Sequence, residues 1–250
     1  MKQLVYATLW FLLTVGIANA QTANTRTQSM PEQSQTLTAE QQSIVAVSAF
    51  TAIGDLAKLN TALNRGLDAG LTVNESKEVL VHLYAYCGFP RSLNGINTLM
   101  AVIEERKKKG INDEVGPDAS PIKQDGNKYE RGKRNLETLT GRKEVGPKSG
   151  FAAFSPEIDR FLKEHLFADI FERDVLGFKD REIATISALA AMPGVEPQLE
   201  SHLSMGMNTG LTQGQLLQLF DLIEENISRQ QAETARRSLA KVTDAKQKKQ

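Results

Sequence analysis

Apolar residues recur along most of the chain at the three- to four-residue spacing of amphipathic helices, and strand-type alternation is nearly absent. This pattern predicts an all-α protein. Helix stop and start signals occur twice with the same plan, in "GLTVNE" (70–75) and "GLTQGQ" (210–215). In each, glycine suits the left-handed residue that ends one helix, and threonine with Glu or Gln three residues later predicts a capping box.

The two signals belong to a longer internal repeat. Residues 48–72 align with residues 187–212, so that Ser48 matches Ser187 and Gly66 matches Gly206. Self-similarity of this kind predicts a duplicated antiparallel helical bundle. The predicted organisation is a first repeat over residues 38–110, a polar linker over 111–127, and a second repeat over 128–250 that ends in a charged helix.

The N-terminus differs from the rest of the chain. Lys2 precedes the apolar stretch "LVYATLWFLLTVGIA", and Ala18-Asn19-Ala20 follows as a small-x-small cleavage site. We interpret residues 1–20 as a signal peptide and residues 21–37 as a flexible tether. The protein is therefore expected to be exported, either periplasmic or secreted, and not held in a membrane once the signal peptide is cleaved.

Composition and motifs argue against several classes of function and site. The formal net charge is zero and aromatic residues make up 6%, which argues against nucleic-acid binding. The three histidines lack metal-ligand spacing, and no glycine-rich phosphate loop occurs, so no metal and no cofactor are expected. Because Cys87 is the only cysteine, a disulfide within the chain is excluded.

The stretch "EVLVHLYAYCGFPR" (78–91) holds the densest group of candidate residues. Glu78, His82 and Tyr86 are spaced i, i+4, i+8 and share one helix face. A carboxylate beside an imidazole can act as a proton-transfer pair, although the same spacing also suits a simple surface Glu–His pair. Gly88 and Pro90 predict that this helix ends near Cys87.

This stretch also carries a resemblance to a known family. "GLTVNESKEVLVHLYAYCGFPRSLNGIN" resembles the signature of the carboxymuconolactone decarboxylase-like proteins, which include the alkylhydroperoxidase D type. The matching residues are Gly70, Leu71, Thr72, Glu78, Tyr86, Gly88 and Pro90. Residues 129–141 and 154–212 are similar to other parts of the family, with Arg181 and His202 at matching positions. The resemblance covers most of residues 40–225.

The resemblance implies an all-helical fold that assembles into rings, here a homo-oligomer and preferably a trimer because the chain holds two repeats. It implies one of two activities, cofactor-free decarboxylation or a disulfide-cycling thiol peroxidase. The peroxidase motif Cys-x-x-Cys is absent. The resemblance therefore favours a lyase acting on a small organic acid by proton transfer. Its expected catalytic residues are Glu78, His202, Tyr86 and Arg181, with His82 and Cys87 as further candidates.

Two alternatives stay open at this point. The protein could be a thiol-dependent peroxidase that uses Cys87, which would require a depressed thiol pKa. It could also be a non-catalytic binding or assembly module, because each repeat has kept a different part of the polar residues. His82 is matched by Leu222 in the second repeat, and His202 is matched by Ala62 in the first.

Overall fold

The computed structural model describes residues 35–122 and 126–248, and these ranges contain ten α-helices, one π-helical segment and no β-strand. The prediction of an all-α protein is confirmed. The helices are α1 (Ala39–Ile53), α2 (Leu56–Asp68), α3 (Val73–Lys108), α4 (Lys128–Thr140), α5 (Gly150–Phe154), α6 (Pro156–Phe161), α7 (Phe178–Ala191), α8 (Glu196–Asn208), α9 (Gln213–Asn226) and α10 (Arg229–Gln247). The π-helical segment is Leu162–Ile170.

The two Gly-Leu-Thr turns have closely similar geometry. The backbone φ angle is 108° at Gly70 and 98° at Gly210, the left-handed region that favours glycine. In each turn the amide after the glycine donates over 2.9 Å to the carbonyl five residues earlier. The capping boxes predicted at Thr72 and Thr212 are both present. The order helix, turn, helix, Gly-Leu-Thr turn, helix therefore occurs at α1–α3 and again at α7–α9.

Helices α1 and α7 pack against each other at the centre of the fold. Every residue of α7 from Arg181 to Ala191 is buried, which is typical of a helix surrounded by others. One apolar core joins side chains from both predicted repeats, from Leu37 to Leu239. The two segments therefore do not form separate domains. Each supplies one side of the same core.

Helix α3 bends at Gly88. The residue has φ 82° and ψ 159°, and helical structure resumes directly afterwards, with Pro90 near the start of the second half. The first helical segment of α3 therefore ends at the non-helical Gly88, as predicted, and a second segment begins directly after it. Proline lacks the amide that a continuing helix would need, whereas near the start of a new helical segment that amide has no partner to lose.

A smaller layer lies on one side of the core. Helix α4 packs against the π-helical segment, and the two share a second apolar cluster. The buried members of this cluster are Leu139, Leu166, Phe167, Ile170 and Phe171. This layer belongs to the predicted second repeat, and α1–α3 have no counterpart to it. Similar helix order in the two predicted repeats is therefore confined to α1–α3 and α7–α9.

The predicted terminal and linking segments are described only in part. The predicted signal peptide, residues 1–20, and most of the predicted tether, residues 21–37, lie outside the described residues. Leu37, assigned to the tether, is 4% exposed, and its amide donates to Gln218 over 2.7 Å. The described part of the linker 111–127 holds no helix and is bound to α3 through the Asn74 side chain.

Among the described helices, none combines the length and apolar character that a membrane crossing requires.

Candidate functional site

The predicted i, i+4, i+8 face of α3 points into the protein, towards α7. Glu78 is 1% exposed and His82 is fully buried, so the surface-pair interpretation of their spacing is excluded. Tyr86 lies one further turn along, with its hydroxyl buried. Buried polar groups cost free energy unless they are paired, so the partners of these three side chains define the site.

Glu78 is held by two arginines. Its Oε1 accepts from Nη2 of Arg181 over 2.7 Å, and both of its oxygens accept from Nε of Arg173 over 3.0 Å. Arg181 also donates to the backbone carbonyl of Arg173 over 2.6 Å. Burial lowers the pKa of Arg181, and its bond to Glu78 opposes that shift. Glu78 is therefore fully bonded within the chain, and it fixes both guanidinium groups.

His82 is bonded at both ring nitrogens. Nε2 lies 2.8 Å from the Thr185 hydroxyl, and Nδ1 lies 3.4 Å from Nη1 of Arg181. Because arginine can only donate, Nδ1 must accept, which places the ring proton on Nε2, where it is donated to Thr185. Burial and the positive charge of Arg181 hold the pKa of His82 well below its usual range. His82 is therefore a neutral imidazole with a defined tautomer.

His202, on α8, pairs with Glu182 on α7. Nδ1 of His202 lies 2.9 Å from Oε2 of Glu182, which is fully buried. The carboxylate can only accept, so it orients the imidazole with its proton on Nδ1 and leaves Nε2 as the second functional nitrogen. Oε1 of Glu182 makes no hydrogen bond to any described residue. This pair has the geometry of a carboxylate-oriented general acid–base.

Tyr86 lies between the two histidines. Its ring centroid is 5.2 Å from that of His82 and 5.3 Å from that of His202, the latter edge to face. Its hydroxyl makes no hydrogen bond of standard geometry among the described residues, although the Thr185 hydroxyl is close to it. Burial and the charge of Glu182 raise the pKa of Tyr86, so the phenol stays protonated.

Five polar side chains thus follow one another from α3 to α8, and we name them the buried relay: His82, Thr185, Tyr86, Glu182 and His202. Two of the links are hydrogen bonds, His82 to Thr185 and Glu182 to His202. The middle of the relay holds an unbonded donor on Tyr86 and an unbonded acceptor on Glu182. The relay is joined to the Glu78 ion pairs through Arg181.

The structure brings together most of the residues that the sequence singled out. Glu78, His202, Tyr86, Arg181 and His82 all belong to this connected group. Cys87 does not. Its Sγ donates to the carbonyl of Leu83 over 3.1 Å, and burial raises the pKa of the thiol to about 11. No described residues form a group of three or more side chains suited to a metal ion.

Three members of the group were missed by sequence reasoning. Glu182 directly follows Arg181, and this adjacency in "DREIA" was the available signal. Thr185 is four residues after Arg181, which places it on the same face of α7. Arg173 had no sequence signal, because it lies in the turn between the π-helical segment and α7. Its position depends on tertiary contacts alone.

Two cavities flank the group. One, of about 560 Å³, is lined by Arg173 and Phe171 together with residues of α4. The other, of about 550 Å³, lies at the ends of α1 and α7 and is lined by Tyr86, Cys87 and Arg91. The buried group therefore reaches a concave surface on two sides, through Arg173 on one and through the Tyr86 ring on the other.

A scan against protein-family models and a search of curated proteins gave no match to this chain. Functional inference therefore depends on the geometry of the buried group and on the resemblance of the motifs.

Proposed function

We propose that the protein is a cofactor-free carbon–carbon lyase that acts on a small organic acid by proton transfer. The observation that carries this proposal is the buried relay, in which each of two histidines is oriented by a hydrogen bond to α7, with Tyr86 between their rings. Proton transfer by a positioned imidazole is the commonest form of general acid–base catalysis. The proposed activity agrees with the decarboxylase branch of the resemblance.

The proposed architecture is the duplicated bundle of the alkylhydroperoxidase D-like type. It is supported by the similar geometry of the turns at Gly70 and Gly210 and by the shared core of α1 and α7. The site would then combine both repeats. The first repeat supplies Glu78, His82 and Tyr86, and the second supplies the arginines, Glu182 and His202.

The energetic cost of the site supports a functional role. Taking ion pairs out of water carries a desolvation cost of several kcal/mol per ion, and well-packed apolar replacements are often equally stable or more stable. Glu78, Arg181 and Glu182 are each at most 1% exposed. Clustered buried ionisable groups with shifted pKa values are typical of catalytic sites. The desolvation cost of these buried ionisable groups is better explained by a catalytic role than by a contribution to stability.

The proposed chemistry conserves atoms and charge. The bond between carbon and the departing carboxylate breaks, carbon dioxide leaves, and the bonding electron pair stays on carbon. That carbon then takes one proton, which an imidazole of the relay supplies. His202 keeps slight solvent exposure, with 9% of its side chain accessible, whereas His82 has none. Protons would therefore enter from solvent at His202.

The thiol peroxidase alternative lacks support of this kind. A nucleophilic cysteine needs its thiolate, and this requires a pKa below the usual value. The pKa of Cys87 is instead raised to about 11 by burial. A disulfide cycle within the chain would also need a second cysteine, which is absent from the sequence.

Deuterium incorporation tests the proposal. The protein is incubated in D₂O with a panel of keto acids and unsaturated carboxylic acids, and proton NMR follows loss of carboxylate and deuterium at the adjacent carbon. His202→Gln should lower the rate by about 10²-fold or more. His165→Gln is the matched control, because His165 is an exposed histidine whose one hydrogen bond to a described residue is with Asp169, outside the buried relay. Equal rates in the two variants would overturn the proposal.

We further propose export and assembly. The export proposal depends on residues 1–20.

The assembly proposal, a homotrimer, is supported by an apolar stripe on the second half of α3, formed by Phe89, Leu93 and Met100. These side chains are 62%, 53% and 63% exposed and recur at helical spacing. Exposed apolar stripes of this kind are typical of protein–protein contacts.

A further inference from the structure

The 560 Å³ cavity lies at the start of α7, between that helix and α4. Three arginines line it: Arg131 and Arg134 from α4, and Arg173 from the turn before α7. Two carboxylates, Glu172 and Asp174, also line it. The lining therefore carries an excess of positive charge, which favours an anion as ligand.

The hydrogen bonds of the charged side chains in the cavity wall show which arginine has no carboxylate partner. Arg131 is 4% exposed and bonded to Glu172, with Nε–Oε distances of 3.1 and 3.2 Å. Asp174 accepts from the backbone amide of Ser120 over 2.8 Å. The Arg134 guanidinium is exposed and makes no hydrogen bond or ion pair with any described residue. Arg134 is therefore the cation available to a ligand.

Arg173 gives the cavity a second binding group. Its Nε and Nη2 atoms hold Glu78, while its Nη1 atom has no partner among the described residues. With 35% of the side chain exposed, the guanidinium spans the boundary between the buried group and the cavity. An arginine with free N–H groups can bind a carboxylate oxygen by a charge-assisted hydrogen bond.

The start of α7 adds to the positive potential. Its N-cap is Gly177, which has no side chain to bond the first amides of the helix. Those amides and the helix dipole favour a negative charge at this end. Gly177 and Phe178 both line the cavity, so the start of α7 and the arginines belong to the wall of the same cavity.

The remaining walls are largely apolar. Phe171, Leu176 and Phe178 line the cavity, and the Phe171 ring also contacts His82, with centroids 5.3 Å apart. A purely polar anion such as phosphate would leave this apolar surface unused. A carboxylate with an apolar body would use both parts of the cavity.

We infer that this cavity binds a small carboxylate with an apolar body, its charge held by Arg134 and Arg173 and its body packed against Phe171 and Phe178. The inference rests on the proposed function only in naming this ligand as the substrate acid. A bound carboxylate shares the Arg173 guanidinium with Glu78. The ligand uses the Nη1 atom that Glu78 leaves free and packs on Phe171, whose ring contacts His82 at one end of the buried relay.

Calorimetric titration with benzoate tests the inference, since benzoate combines one carboxylate with an apolar ring. The purified protein should bind benzoate at low ionic strength, and should not bind the neutral isostere benzamide. Arg134→Gln should weaken benzoate binding by about tenfold or more, because a charge-assisted bond is lost. Arg142→Gln, an exposed arginine just beyond the end of the same helix, should leave binding unchanged.

Each other outcome has a defined meaning. An absence of benzoate binding, or phosphate binding as tight as benzoate, would overturn the inference. If benzoate binding is lost in Arg91→Gln and kept in Arg134→Gln, benzoate binds in the 550 Å³ cavity that Arg91 lines. That result would also overturn the inference. His202→Gln should keep benzoate binding. If the wild-type protein binds benzoate but incorporates no deuterium into any acid of the panel, that result counts against the proposed function alone.

Discussion

The Nδ1 atom of His202 lies 2.9 Å from Oε2 of Glu182, on neighbouring helices α8 and α7. A fully buried carboxylate thus fixes an imidazole that keeps slight solvent exposure. The second oxygen of Glu182 makes no hydrogen bond to a described residue. The charge of Glu182 helps to raise the pKa of Tyr86. This pair forms the solvent-facing end of the buried relay.

Substitution of Glu182 by glutamine tests the role of this pair. Glu182→Gln keeps the shape of the side chain and replaces the carboxylate beside Nδ1 of His202 with a neutral amide. We expect turnover to fall by about 10²-fold, with far-ultraviolet circular dichroism unchanged. Glu200→Gln, on the exposed face of α8 and paired with Lys241, is the control. Full activity in Glu182→Gln would show that the carboxylate does not orient a catalytic histidine.

Removal of the Glu78 charge should destabilise the fold. Glu78→Gln leaves Arg181 buried with its principal counter-ion gone, and breaking one partner of a buried pair costs about 3–5 kcal/mol. Urea denaturation measures the change in the free energy of unfolding. Glu233→Gln removes the exposed i,i+4 pair with Arg229 and should change that free energy by less than about 0.5 kcal/mol. Similar values for the two variants would contradict the buried ion-pair assignment.

His82 should make the protein sensitive to acid. Its folded-state pKa is held well below the usual value, so the unfolded chain binds a proton that the folded chain resists. The resulting stability is present above the unfolded pKa of about 6.5 and is lost as the pH falls below it. His82→Gln should flatten the dependence of the unfolding free energy on pH below 6.5. An unchanged pH dependence in His82→Gln would contradict this assignment.

Cys87 should react slowly with thiol reagents. With a pKa of about 11, raised by burial, the thiol is almost wholly protonated at pH 7. Labelling with iodoacetamide should be much slower in the folded protein than in urea, and should accelerate as the pH rises towards 11. Because Cys87 is the only cysteine, the labelled mass reports on it alone. Rapid labelling at pH 7, or rapid oxidation by peroxide, would revive the peroxidase alternative.

The apolar stripe on α3 predicts assembly. Light scattering should give a mass three times that of the single chain. Leu93→Glu should dissociate the assembly, because it places a charge at the centre of the stripe formed with Phe89 and Met100. Glu105→Lys, on the same helix outside the stripe, should leave the mass unchanged. A stable monomer at micromolar concentration would refute the trimer.

Local patterns in the sequence predicted much of the fold. The all-α class, the positive-φ glycines at 70 and 210 and the two threonine capping boxes depend on residues close together in the chain. The i, i+4, i+8 spacing of Glu78, His82 and Tyr86 also predicted a shared face. These features follow from helix geometry and backbone hydrogen bonding, which act over four or five residues.

The sequence by itself determined which helices form and which polar side chains share a face of α3. Only the tertiary structure decided what those side chains do. Arg173 reaches Glu78 across 95 positions of the chain, and His82 meets Thr185 across 103. The packing of α7 and the turn before it against α3 makes these contacts, and it buries them. Burial then sets which groups stay neutral and which are bonded, because charge in the core is stable only beside a partner.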